Sequence, residues 1–355
     1  MNSIQDMRKA CYYGGDIKWR SKEFVLNDQK NVLITGISGF IGGAVAAQLV
    51  ERGYSVHGYV RKNSRIEYLK ENFPDIKFHY GDINDQRALA LAMQDMHWVI
   101  HCAGVNSFWE KQRRRYHQVN THGTRTVMLI AHEADVEKVI NVSTVMAYGF
   151  PEDIPFNEET QPGKHMSEYA HSKYMGDREA FIRYRKQGLP LVTVYLAAVL
   201  GAGDPKDVMQ VRRFIEGKVP LMIDSPYRFT YLYIKDAARA IVRAAEKENN
   251  IGERYLVGGQ TLTTREYFDL ISEFADVPVP DRTIGRFVAM QMSRLMTFWA
   301  SIIKRPPLMP LDLIRTVYAG DLTFDSSKAE EELGLKYTPL RTAIKEVVDS
   351  FNLVD

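Results

Sequence analysis

Thr35-Gly36-Ile37-Ser38-Gly39-Phe40-Ile41-Gly42 lies between an apolar run at 32–35 and a helical pattern that continues through Leu49. A glycine cluster alone carries little information, but one that leaves a strand and opens a helix marks a phosphate cradle. Gly36 permits the sharp turn out of the strand. Gly39 leaves no side chain between a pyrophosphate and the helix start, where unpaired N–H groups and the helix dipole favour negative charge. Gly42 lets the helix lie close to the sheet. Ser38, Phe40 and Ile41 complete the turn and are assigned to the same nucleotide contact.

Outward from this turn, apolar runs at 55–60, 76–80, 97–102, 138–142 and 191–196 alternate with helical patterns such as 85–94 and 119–133. Such alternation predicts parallel strands with helices on both faces, and ligands beyond the carboxyl ends of the strands. The expected class is α/β, a Rossmann-type doubly wound parallel sheet with a smaller, mainly helical C-terminal substrate lobe. The expected divisions are an N-terminal extension (1–30), a nucleotide-binding domain (31–202, with 229–250 returning to its sheet), and a substrate lobe (203–228 and 251–355).

Composition narrows the classes further. The 355 residues are 45% hydrophobic and 25% charged, which excludes disordered and collagen-like chains. Forty-six basic residues against forty-four acidic ones give a formal charge of +2, without the basic excess expected of a nucleic-acid partner. Two cysteines, Cys11 and Cys102, make neither a disulfide framework nor a zinc site, so a reducing, cytoplasmic setting is expected. The nine histidines show no zinc-type ligand spacing with cysteines or carboxylates, and no metal is expected. The N-terminus shows no signal-peptide pattern. The apolar stretch 287–303 is interrupted by Arg294, Thr297 and Ser301, too often for a transmembrane helix. Its narrow polar stripe allows two readings: a helix roofing a core or substrate pocket, or an interfacial helix in peripheral contact with lipid.

The end of the second strand reads the adenosine ribose: a carboxylate there suits the 2′-hydroxyl of NAD(H), an arginine the 2′-phosphate of NADP(H). Here Arg61-Lys62-Asn63 follow the strand, with no carboxylate before Glu67, which favours NADP(H) over NAD(H). After the third strand, Asp82 is placed to accept from the adenine amino group, with Ile83 against the ring. After the fourth, Cys102-Ala103-Gly104 are small enough for backbone to lie along the cofactor.

Tyr169 and Lys173 stand four apart at the start of a predicted helix, on one face. A phenol with a pKa of about 10 is a poor base at neutral pH, and a nearby ammonium favours the phenolate. A tyrosine so tuned exchanges a proton with a carbonyl or an alcohol. Tyr231 and Lys235 repeat the spacing, but in an apparent strand, where four residues span about 13 Å; that copy is read as coincidence. Ser143 and Thr144 end the fifth strand and supply hydroxyls for the substrate oxygen and the tyrosine. His165 and His171 are expected to shape the pocket or face solvent, and the charge run 111–115 to be a solvated helix start.

On these motifs the chain resembles the extended short-chain dehydrogenases/reductases, the group that includes the NAD-dependent epimerase/dehydratases. The resemblance spans about residues 31 to 350 and includes Asn120, Gly123-Thr124, Tyr148-Gly149, Phe324-Asp325 and Leu333-Gly334. It implies that Thr144 is the catalytic hydroxyl with Ser143 its neighbour, and that Asn120 bridges elements around the site. It also implies cofactor contacts at Leu196 and Val199, and a homodimer. Within the family the sequence is most similar to dihydroflavonol reductase-like and 3β-hydroxysteroid dehydrogenase-like members. Sugar-nucleotide epimerases tend to carry an Arg-Asp pair where this chain has Phe229-Thr230, one residue after Arg228, and an asparagine near 196–200, which here is apolar. The expectation is therefore an NADP(H)-dependent oxidoreductase interconverting a ketone and a secondary alcohol on a mainly apolar small molecule. The alternatives are a sugar or sugar-nucleotide epimerase/dehydratase with a tightly held recycling cofactor, and a non-catalytic NADP(H)-sensing or scaffold protein.

Overall fold

The structure, a computed structural model, describes residues 30–203, 211–219, 221–223 and 225–352. Of the expected extension at 1–30 only Lys30 is described, and part of the expected segment 203–228 also lies outside the described residues.

The first six strands are β1 (Asn31–Thr35), β2 (Ser55–Val60), β3 (Lys77–Tyr80), β4 (Trp98–His101), β5 (Lys138–Thr144) and β6 (Leu191–Leu196). β7 (Ala198–Leu200), β8 (Met222–Ile223) and β9 (Arg228–Tyr233) leave the sheet, and β10 (Arg254–Val257) returns to it, followed by β11 (Gln260–Thr263) and β12 (Thr283–Ile284). The main sheet runs β10-β6-β5-β4-β1-β2-β3, every pair parallel. The chain winds away from β1 in both directions, so a crevice opens between the carboxyl ends of β1 and β4, where Ile34 pairs Ile100 and Thr35 pairs His101.

The helices are α1 (Phe40–Glu51), α2 (Glu67–Asn72), α3 (Gln86–Ala92), α4 (Thr124–Glu133), α5 (Glu168–Gln187), α6 (Ile234–Glu246), α7 (Thr264–Ala275), α8 (Arg286–Ile303), α9 (Leu311–Val317), α10 (Ser327–Leu333) and α11 (Leu340–Asn352). Both sheet faces are covered, so β5 and β6 are buried almost throughout, as parallel strands require. One face packs on Val45, Ala46 and Leu49 of α1 and Ala237, Ile241 and Ala244 of α6. The other packs on Leu89 of α3, Val127, Met128 and Ala131 of α4, and Ala180 of α5.

Two expectations change. The return to the sheet was placed at 229–250, but β9 joins a separate three-stranded sheet, β11-β9-β7, while α6 covers the main sheet and β10 is the returning strand. The helix at 287–303 does not roof a core with its apolar side. α8 turns its small residues, Ala289, Ser293 and Ala300, inward, with Ala289 against Ile314 and Tyr318. Ser293 Oγ donates to the Met309 carbonyl at 2.9 Å, and Thr297 Oγ1 accepts from the Leu311 N–H at 3.1 Å. Hydroxyls with backbone partners can face inward, so periodicity found the two faces but not which was covered. Among the described residues no helix is long and apolar enough to cross a membrane.

Candidate active site

The glycine turn is close-packed. Gly36 has φ +75°, and a Cβ there would lie 2.6 Å from the Ala103 nitrogen. A Cβ at Gly42 would lie 2.3 Å from the Gly36 carbonyl oxygen. Gly39 is the N-cap of α1 and makes no side-chain cap, so the first-turn N–H groups keep their capacity for an anion. Ser38 and Gly39 are exposed, and Phe40 and Ile41 half-buried. A bare, uncapped helix start at the crevice between β1 and β4 fits the pyrophosphate of a dinucleotide.

The other expected cofactor residues divide. Arg61 and Lys62 follow β2, are exposed, and have no ion-pair partner among the described residues. Cys102 and Ala103 abut Gly36, and Gly104 is exposed beside Asn120. Burial pushes the Cys102 thiol up to about 12, so it is a packing group rather than a nucleophile. Asp82 is exposed and accepts from the Asn84 N–H at 3.0 Å. Ile83 is buried and packed with Leu33, Leu89 and Val99. Leu196 is likewise core, and Val199 is half-buried between two apolar clusters.

α5 presents the tyrosine. Ser167 caps it by accepting from the Ala170 N–H at 3.2 Å. The Tyr169 hydroxyl lies beside the Thr144 hydroxyl at the end of β5, and its ring packs on Val105 and Tyr116, with Phe108 edge-on at 6.4 Å. Lys173 is buried and donates to the Val142 carbonyl at 3.0 Å. Asn120, in a wide π-type segment (His117–Gly123), ties three elements: its Oδ1 accepts from the Val105 N–H at 2.7 Å, and its Nδ2 donates to the Val105 carbonyl at 3.1 Å and Ser172 Oγ at 2.9 Å.

Sequence reasoning missed Asp177. It lies one turn beyond Lys173, accepts from Ser143 Oγ at 2.6 Å and Asn141 Nδ2 at 2.9 Å, and its charge opposes the lysine's. The signal was present, an acid four residues after the lysine on the same face. The two neighbouring hydroxyls thus differ in their surroundings: Ser143 donates to Asp177, and Thr144 lies beside Tyr169.

The electrostatics differ from expectation in one respect. Burial pushes the Tyr169 phenol up to about 12, with the Thr144 hydrogen bond pulling it down and the Asp177 charge adding to the rise. Lys173 is not among the groups that move it. Burial lowers the lysine, and Asp177 and then Cys102 raise it again. Tyr169 and Lys173 both stand at the start of α5, but the ammonium donates to the Val142 carbonyl of β5. Burial thus favours the protonated form of the Tyr169 phenol.

Beside the start of α5 opens a charged cleft of about 370 Å³ lined by Arg113, His165, Glu168, His171, Asp312 and Arg315. Arg113, expected in a solvated run, contacts Glu168 at 2.7 Å. Ligand atoms of His117, Glu168 and His171 lie within 4.8 Å of one another, a grouping sequence spacing did not show. His117 Nε2 is 2.8 Å from Glu168, so that carboxylate already serves a histidine and an arginine. His165 contacts the Ala147 carbonyl at 2.8 Å, while His171 is exposed. The repeated spacing at Tyr231 and Lys235 is dispersed: Tyr231 stacks on Tyr267 at 5.1 Å and Lys235 pairs with Glu346 at 3.2 Å.

Comparison with known proteins agrees with this arrangement. The model of the NAD dependent epimerase/dehydratase family matches residues 32–258. A putative dihydroflavonol 4-reductase of Synechocystis is 27% identical over 90% of this chain and 93% of its own length. Sterol demethylase protein B of Methylococcus capsulatus is 26% identical over 90% of this chain and 97% of its own. The crystal structure of gox2253 superposes with a TM-score of 0.78 at 27% identity, covering 92% of this chain and 98% of that one. With the glycine cradle, the doubly wound sheet and the Tyr169–Thr144 pair in place, the chain belongs to the NAD dependent epimerase/dehydratase family, within the extended short-chain dehydrogenases/reductases, and is an NAD(P)-dependent enzyme.

Proposed function

We propose that this protein is an NADP(H)-dependent oxidoreductase that interconverts a ketone and a secondary alcohol on a mainly apolar molecule. The observation that carries the reading is the Tyr169–Thr144 hydroxyl pair, held between apolar side chains at the mouth of the sheet. A bound nicotinamide supplies or accepts hydride. Thr144 orients the substrate oxygen. Tyr169, kept protonated by burial, donates its proton to a carbonyl oxygen in reduction and receives one in the reverse direction. The Val142 carbonyl holds the Lys173 ammonium one turn behind the tyrosine, and the Asp177 charge favours its protonated form. The α1 start with Gly36, Gly39 and Gly42 would hold the pyrophosphate, and Arg61 with Lys62 the 2′-phosphate.

Two features support an apolar substrate over a sugar nucleotide. Arg228, one residue before the place where epimerases tend to carry the Arg-Asp pair, contacts Glu266 of α7 at 3.2 Å. The ring of Tyr169 shares an apolar cluster with Val105 and Tyr116, and Phe108 stands edge-on to it. The test is stoichiometry on a panel of hydrophobic ketones. The reductase reading expects one NADPH consumed per alcohol formed. Sugar-nucleotide turnover without net NADPH consumption would assign an epimerase instead. Cofactor binding with no turnover on either panel would assign a sensing or scaffold role.

A further inference from the structure

We propose that α8 is a membrane-docking face, laid flat on a bilayer surface carrying anionic headgroups. Phe287 is 77% exposed, Leu295 60%, Phe298 60%, Trp299 55%, Ile302 54% and Ile303 59%. From Leu295 onward they recur at intervals of three and four, one stripe along the helix, which at 18 residues is about 27 Å long. Scattered exposed apolar side chains are ordinary, but a continuous stripe of this size marks a contact surface. The inward face is already buried through Ala289 against Ile314 of α9, Ser293 bonded to Met309, and Ala300, so the stripe is left over from packing and not from a missing core.

Charge identifies the occupant. No aspartate or glutamate occurs between Asp281 and Asp312, whereas Arg282, Arg286, Arg294, Lys304 and Arg305 all fall there. All five are exposed, and none has an ion-pair partner among the described residues. An apolar stripe bearing aromatic side chains and flanked only by cations is the pattern of an interfacial helix: the apolar side enters the headgroup boundary and the cations meet lipid phosphates. A second copy of this chain is a poor occupant, because a two-fold contact would oppose five cations with five more. The same helix rests on α9, whose Asp312 contacts the first residue of α5, so the docked surface would lie one helix from the start of the catalytic helix. Docking does not rest on the reductase reading, since a catalytically inert protein would still bind vesicles.

The test is co-sedimentation of the full chain with vesicles of phosphatidylcholine alone or mixed with phosphatidylglycerol. Partitioning is expected to be at least about tenfold stronger on the anionic vesicles and to weaken with salt. Phe298→Ser with Trp299→Ser should reduce it by about tenfold or more on both, and Lys304→Glu with Arg305→Glu should remove the anionic preference. These positions are exposed, so an unchanged thermal midpoint confirms that both variants fold. No vesicle binding, equal binding to the two compositions, or double variants that bind like the parent would overturn the proposal. So would a stable dimer that Trp299→Ser dissociates while vesicle binding is absent, since the stripe would then belong to a second copy.

Discussion

Asp312, on α9 of the C-terminal lobe, accepts a hydrogen bond at 3.1 Å from the backbone N–H of Glu168, the first residue of the helix that carries Tyr169 and Lys173. A carboxylate at a helix N-terminus satisfies an orphan N–H and meets the positive end of the dipole. The lobe thus fixes the catalytic helix at its start. Asp312→Ala is expected to lower stability by about 1 kcal/mol and to reduce kcat while cofactor affinity is kept. Asp312→Asn, which retains an acceptor oxygen, should restore most of kcat. Denaturant titration and steady-state kinetics check both.

Tyr169→Phe removes the proton donor and leaves the ring among Val105, Tyr116 and Phe108. Turnover should fall by about 10²- to 10⁴-fold, with little change in NADPH affinity by fluorescence titration. Near-normal turnover would sink the assignment.

The two neighbouring hydroxyls should behave differently. Thr144→Val removes the partner of Tyr169 and should act on kcat. Ser143→Ala takes one donor from Asp177 and should cost about 1–3 kcal/mol of stability, with KM nearly unchanged. Equal kcat losses without a stability difference would return Ser143 to the substrate oxygen.

Arg61→Glu tests the cofactor preference. Replacing an exposed cation after β2 with a carboxylate should lower the NADPH-over-NADH ratio of kcat/KM by about tenfold or more. An unchanged ratio would leave Arg61 as a solvated side chain.

Acid should destabilise the fold through its buried histidines. His101 lies between Thr35 Oγ1 at 2.7 Å and Thr124 Oγ1 at 3.0 Å, and burial lowers it from 6.5 to about 3, with Lys173 adding to the drop. His57, 3.0 Å from His79, is lowered to about 4, first by burial. A base depressed in the folded state gives stability that is complete above pH 6.5 and lost as the pH falls towards its folded value. Stability should therefore decline below pH 6.5 with a slope of up to about 1.4 kcal/mol per pH unit for each such histidine. His57→Asn should make the decline shallower between pH 6.5 and 4.

Much of the frame was legible because it is written locally. The Gly36–Gly42 turn needs its glycines wherever β1 meets α1, and Tyr169 and Lys173 share a face because helix periodicity requires it. Six strands of the sheet fall where apolar runs announce them. Asp177 was legible in principle, one turn past the lysine, but its importance depends on Ser143 reaching it from β5.

The sequence by itself determined the parallel α/β architecture, the glycine turn between β1 and α1 and the shared face of Tyr169 and Lys173, since each follows from side chains close together along the chain. Only the tertiary structure decided that Thr144 lies beside Tyr169 while Ser143 reaches Asp177, that Lys173 donates to the Val142 carbonyl, that Asp312 holds the start of α5, and that α8 turns its large apolar side chains outward. These depend on groups brought together from distant parts of the chain. Periodicity gives a helix two faces, but which face is covered depends on what packs against it.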